Sequence, residues 1–203
     1  MDPQDSECHK TDKNSPDACP KVIIALGGNI DSAIGPPALT IEAALARLSD
    51  SFLCPSAVSP LYATPCFPAG AGPDYVNAAA VFSGPADAHQ VLDLLHRIEA
   101  EFGRERQQRW GQRTLDLDLI AMGDAVLPDE ATFRRWRDLP ADRQPGAVPK
   151  RPIVPHPRLQ DRAFVLIPLL AVAPDWRHPV GDKTVAEMAN DLTESDRRAI
   201  RPL

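Results

Sequence analysis

The apolar and polar positions of the chain fall into short runs with two different periods. Alternation with period two is clearest where Leu115, Leu117 and Leu119 interleave with Asp116 and Asp118, which predicts a half-buried strand with its leucines inward and both carboxylates on the other face. Tyr75 to Phe82 (YVNAAAVF) reads the same way, with Tyr75, Asn77, Ala79 and Val81 on one face. Lys21 to Leu26 (KVIIAL) is a β-branched run suited to a buried strand, ended by a Gly27-Gly28-Asn29 turn, and Ser56 to Thr64 predicts a further strand. Helical spacing takes over elsewhere. Val91, Leu94, Leu95, Ile98 and Phe102 predict a helix from Asp87 to Phe102 closed by Gly103, and Leu39, Ala43, Leu45 and Leu48 predict one that starts at Pro36-Pro37. Phe164 to Ala173 predicts a buried helix despite Pro168, and Thr184 to Glu187 is a capping box that opens a last short helix.

The order of these elements, with strands that follow one another without a crossover helix, predicts an α+β sandwich with a mainly antiparallel sheet flanked by helices. Residues 1–20 are polar and without periodicity, which predicts a disordered extension; 21–192 form the domain and 193–203 a tail. Within the domain, Pro128 to Arg151 is a charged, proline-bearing insertion, read as a decoration or a lid.

Composition narrows the function. No apolar run is long enough to span a bilayer and no apolar leader precedes residue 20, so the expectation is a soluble, cytoplasmic protein with no membrane partner. Cys8, Cys19, Cys54 and Cys66 lack any paired spacing and are read as reduced thiols. A net charge of −6 disfavours nucleic acid, which is bound by a broad basic surface. Yet from Phe102 to Thr114 four arginines face a single acid, Glu105, and a small basic patch on an acidic protein points to a small anionic ligand.

Chemistry concentrates in RWGQRTLDLDL, residues 109–119. Two carboxylates held about 6 Å apart repel by about 3 kcal/mol at an effective dielectric near 20, so a cation between them is the natural remedy. Mg²⁺ takes one or two carboxylates and leaves its other positions to water and phosphate, and Arg104, Arg106, Arg109 and Arg113 lie just upstream. The competing reading is a solvent-facing edge strand with charges on its wet side. Asn77 is similarly open: its amide either reads the edge of a heterocycle or pairs with neighbouring backbone. Nothing in the chain supplies a Walker A loop.

Six segments in order, LGGN (26–29), YATP (62–65), DYVNAA (74–79), RIEAEFGRER (97–106), RWGQRTLDLDL (109–119) and VPHPRLQDRAF (154–164), closely resemble 6-hydroxymethyl-7,8-dihydropterin pyrophosphokinase of folate biosynthesis over about residues 21–192. The resemblance implies a ferredoxin-like fold and transfer of pyrophosphate from ATP, the co-substrate, to the pterin hydroxymethyl group, leaving AMP. It implies that Asp116 and Asp118 hold two Mg²⁺ ions, that Tyr75 and Phe164 sandwich the pterin, and that Asn77 with the backbone near Thr64, Pro65 and Phe67 reads its edge. Arg104 and Arg106 would act from a mobile loop with Trp110 and Arg113 beside them, while His96, Glu99, His156 and Arg162 would line the ATP site. The pattern departs at Gly28, Gln112 and His96. ATP and a pterin are thus the expected partners of a monomer. A Mg²⁺-dependent nucleotidyl or phosphodiester enzyme is the alternative, and an RNA-binding module is disfavoured by the acidic balance and by 5% aromatics.

Overall fold

The computed structural model describes residues 19–66, 72–84, 87–103, 113–140, 143 and 147–203. Its elements follow one another as β1 (Lys21–Gly28), α1 (Pro37–Ser49), β2 (Cys54–Val58), β3 (Tyr62–Thr64), β4 (Tyr75–Ser83), α2 (Ala88–Glu101), β5 (Asp116–Met122), α3 (Glu130–Arg137), α4 (Ala163–Val172), α5 (Val185–Asp191), α6 (Glu194–Ala199) and β6 (Arg201–Pro202). The sheet runs β5-β1-β4-β3-β6, with β2 also on β4, and every pairing is antiparallel. This is the expected α+β sandwich.

Both faces of the sheet are covered, which explains why β1 reads as an unbroken apolar run. Val22, Ile24 and Leu26 join Leu117 and Leu119 of β5 under α1 and α2, whereas Ile23 and Ala25 join Ala79, Val81 and Ile120 under α4 and α5. A register slip beside Ile23 and Ile24 lets Ile120 and Ala121 both reach the second layer. Local chemistry fixes the helix ends. Asp87 caps α2 by accepting the His89 N–H at 2.8 Å, Gly103 leaves it at φ +77°, and Thr184 and Glu187 complete the capping box of α5. Among the described residues no helix is long and apolar enough to cross a membrane.

Three expectations need correction. Gly27 and Gly28 do not turn but end β1, paired with Asn77 and Val76, because their missing side chains are needed for close packing. The strand expected over 56–64 divides into β2 and β3 at Ser59-Pro60, where proline has no N–H for the ladder and the Ser59 hydroxyl accepts the Ala79 N–H at 3.0 Å. The expected tail forms α6 and β6, which pairs with β3 through Tyr62↔Pro202 and Ala63↔Arg201. The 128–151 insertion carries α3, whose Phe133 is fully buried against the His178 ring, with centroids 5.3 Å apart.

Candidate active site

Asp116 and Asp118 alternate with the buried Leu117 and Leu119, so both carboxylates leave β5 on the α4/α5 face. Their side chains are 23% and 36% exposed. Each already has a cationic neighbour, which relieves their mutual repulsion: Arg113 Nη1 bonds Asp116 Oδ2, and Arg162 Nη1 bonds Asp118 Oδ2 at 3.2 Å. Arg162 also lies over the Phe164 ring, 5.6 Å from its centroid, at the first turn of α4.

Across the sheet, Asp116 pairs with Gly27, Gly27 with Asn77, and Asn77 with Tyr62. These four residues form one cross-strand row on one face. Asn77 is buried, and its Nδ2 donates to Thr64 Oγ1 at 2.8 Å, a side chain rather than the neighbouring backbone. Its Oδ1 lies over Gly27, where an added Cβ would be only 2.7 Å away. Tyr75 follows Asn77's alternation and pairs with Thr64, with exposed Pro65 next in the chain. Burial pushes the Tyr75 hydroxyl pKa up, opposed by the Arg113 guanidinium.

The outer edge of β5 is held by two segments. The His156 N–H donates to Ile120 O at 2.7 Å, and the His156 Nδ1 accepts the Arg158 N–H at 3.1 Å, which leaves the proton of the neutral ring on Nε2. Burial, with Arg162 and Arg158 nearby, pushes this imidazole down to about 3. From α2, Glu99 is buried on the opposite side of the sheet from the aspartates and accepts the Leu117 N–H at 2.8 Å. His96, one turn earlier, is exposed beside Phe52, Gln90 and Arg97. Phe67, Arg104, Arg106 and Trp110 lie outside the described residues.

Asn29 received no role from sequence and is buried at the same end. Its Oδ1 accepts the Arg113 N–H at 2.8 Å and its Nδ2 donates to Pro73 O at 3.3 Å, tying the approach to β5 to the approach to β4. Only its place in LGGN signalled it.

The donor set suits a hard dication. Two part-exposed carboxylates stand on one face with guanidiniums at hand, and among the described residues no group of three or more His, Cys, Asp or Glu side chains gathers into a closed metal cage. Mg²⁺ favours such open sites, completed by phosphate and water.

Comparison with known proteins identifies the family. The profile of the 7,8-dihydro-6-hydroxymethylpterin-pyrophosphokinase (HPPK) family matches residues 23–174. A 2-amino-4-hydroxy-6-hydroxymethyldihydropteridine pyrophosphokinase of Pseudomonas aeruginosa is 39% identical over 79% of this chain and 85% of its own. One from Synechocystis is 32% identical over 93% and 83%. A crystal structure of HPPK-DHPS in complex with substrates shares the fold, with a TM-score of 0.61 at 12% identity, covering 89% of this chain; this chain spans 44% of that one. With a profile match across most of its length and relatives matched nearly end to end, the chain belongs to the 7,8-dihydro-6-hydroxymethylpterin-pyrophosphokinase family.

Proposed function

We propose that this protein transfers the pyrophosphoryl group of ATP to the hydroxymethyl oxygen of 6-hydroxymethyl-7,8-dihydropterin in folate biosynthesis, with the residues above in the roles that follow. Family membership supports the reaction. A single observation carries its siting: Asn77 and Asp116 occupy one row on one sheet face, with Gly27 between them. Two strand spacings separate them, about 10 Å, so a bicyclic ring read at Asn77 brings its substituent within reach of phosphates above Asp116.

The hydroxymethyl oxygen attacks the β-phosphorus, and the bond from that phosphorus to the oxygen bridging the α-phosphate breaks. AMP departs with the electron pair, and the hydroxyl proton passes to the carboxylate of Asp116 or Asp118. Asp116 and Asp118 would hold two Mg²⁺ ions, which would supply charge neutralisation on the phosphates and a lowered pKa for the attacking hydroxyl. The protein's own contribution is positioning and charge. Arg113 and Arg162, released from their carboxylates, turn to phosphate oxygens, and Arg104 and Arg106 add cations from the 104–112 segment with Trp110. Tyr75 and Phe164 flank the ring, while Asn77, Thr64, Pro65 and Phe67 border its edge. Neutral His156 offers its Nε2 proton to the nucleotide, while Glu99 stands behind β5 on the α2 side. The working form is a cytoplasmic monomer.

Product analysis tests this reading. ATP, Mg²⁺ and the pterin should yield AMP and the pterin diphosphate in equal amounts; ADP or free pyrophosphate as the product would refute it.

A further inference from the structure

Among the described residues β5 is an edge strand, paired with β1 and no other strand, so every second amide on its outer side needs a partner from elsewhere. The amide of Leu117 is the one between Asp116 and Asp118. Its partner is a carboxylate: Glu99 Oε1 accepts it at 2.8 Å, and Glu99 is only 1% exposed. The side chain spans the gap from α2 to the strand, so its oxygen meets this amide across the layer. The bond fixes the peptide between Asp116 and Leu117, and with it the relative placement of the two aspartates.

We propose that Glu99 is a positioning residue for the metal-binding pair: it anchors the Leu117 amide from the α2 side, so that both aspartates present their oxygens to the metal site together. It reaches the substrates through β5. The inference rests on the metal reading of Asp116 and Asp118 given above.

Three variants separate reach from charge. Glu99→Gln keeps an oxygen at the same distance without the charge, Glu99→Asp keeps the charge but draws it back by one methylene, and Glu99→Ala removes both. Mn²⁺ affinity is read by electron paramagnetic resonance on the full chain with a non-hydrolysable ATP analogue, and pterin affinity by calorimetry. Glu99→Ala and Glu99→Asp should weaken Mn²⁺ binding roughly tenfold and lower kcat in parallel, with pterin Kd within about twofold of the parent. Glu99→Gln should recover Mn²⁺ binding to within about threefold. Should Glu99→Ala not fold, the order of Gln over Asp decides. Mn²⁺ affinity unchanged in Glu99→Asp, or metal and pterin affinity lost together in Gln and Asp alike, overturns the positioning role while leaving the metal site standing. A parent protein that binds no Mn²⁺ with the analogue overturns the metal reading and the inference together.

Discussion

Gly27→Ala is the substitution whose effect the geometry fixes most closely. Gly27 stands between Asn77 and Asp116, and a Cβ placed there would lie 2.7 Å from Asn77 Oδ1. Contacts below 3.0 Å are essentially never made by real Cβ atoms, so the carboxamide must retreat by at least 0.3 Å. Its retreat is constrained, because Asn77 is 6% exposed and its Nδ2 is bonded to Thr64 Oγ1 at 2.8 Å. Losing or bending one buried hydrogen bond costs about 1–3 kcal/mol, which is roughly 5- to 150-fold in affinity for a ligand read by that amide. The strand itself should suffer little, since alanine has less backbone freedom to lose than glycine. Calorimetry with a bound ATP analogue should therefore show weakened pterin binding at nearly constant ATP affinity, with the melting temperature lowered by several degrees as the Asn77–Thr64 bond yields. Pterin affinity within twofold of the parent, or an equal loss for ATP, would refute the assignment of Asn77 as the reader of the ring.

Asp116→Asn and Asp118→Asn should each lower kcat by roughly 100-fold or more while circular dichroism stays native, and full Mg²⁺-dependent turnover in both would reject the metal assignment. Asn29→Ala removes both bonds that tie Pro73 to Arg113, so we expect about 1–3 kcal/mol of destabilisation and a melting temperature lower by several degrees; an unchanged melting curve would contradict the clamp. Stability should fall on acidification. The His156 pKa is held at about 3 against 6.5 in the unfolded chain, so below about pH 6.5 the unfolded state takes up the proton first, and by pH 5 the loss is about 2 kcal/mol. Burial moves His178 in the same direction, and urea titrations at pH 7 and pH 5 that give equal stability would refute both.

Sequence revealed what side-chain periodicity records. Leu115 to Leu119 and Tyr75 to Phe82 declared their strands and faces, and the spacing of Val91, Leu94, Leu95 and Ile98 declared α2, because in each the buried face repeats at the period of the backbone. Motif resemblance then brought in residues that periodicity could not. What stayed hidden depends on partners far along the chain. Asn29 bonds residues 44 and 84 positions away, and Arg162 reaches Asp118 across 44. Gly27 and Gly28 read as a turn by propensity, yet tertiary crowding recruited them to a strand: a Cβ on Gly28 would meet Thr114 O at 2.6 Å. β6 is two residues long, one of them proline, and carries no pattern to find.

The neck of the 128–153 excursion has a consequence for how such chains can change. Leu127 and Val154 exchange two backbone hydrogen bonds, 2.7 and 3.2 Å long, so the excursion leaves and rejoins the domain at one point. Two residues later His156 is docked on Ile120. Segments can therefore be lengthened, trimmed or exchanged beyond that pinch without altering the phase in which the histidine meets the sheet, provided something still covers the His178 ring where Phe133 now rests. Variation in length is insulated there from the chemistry.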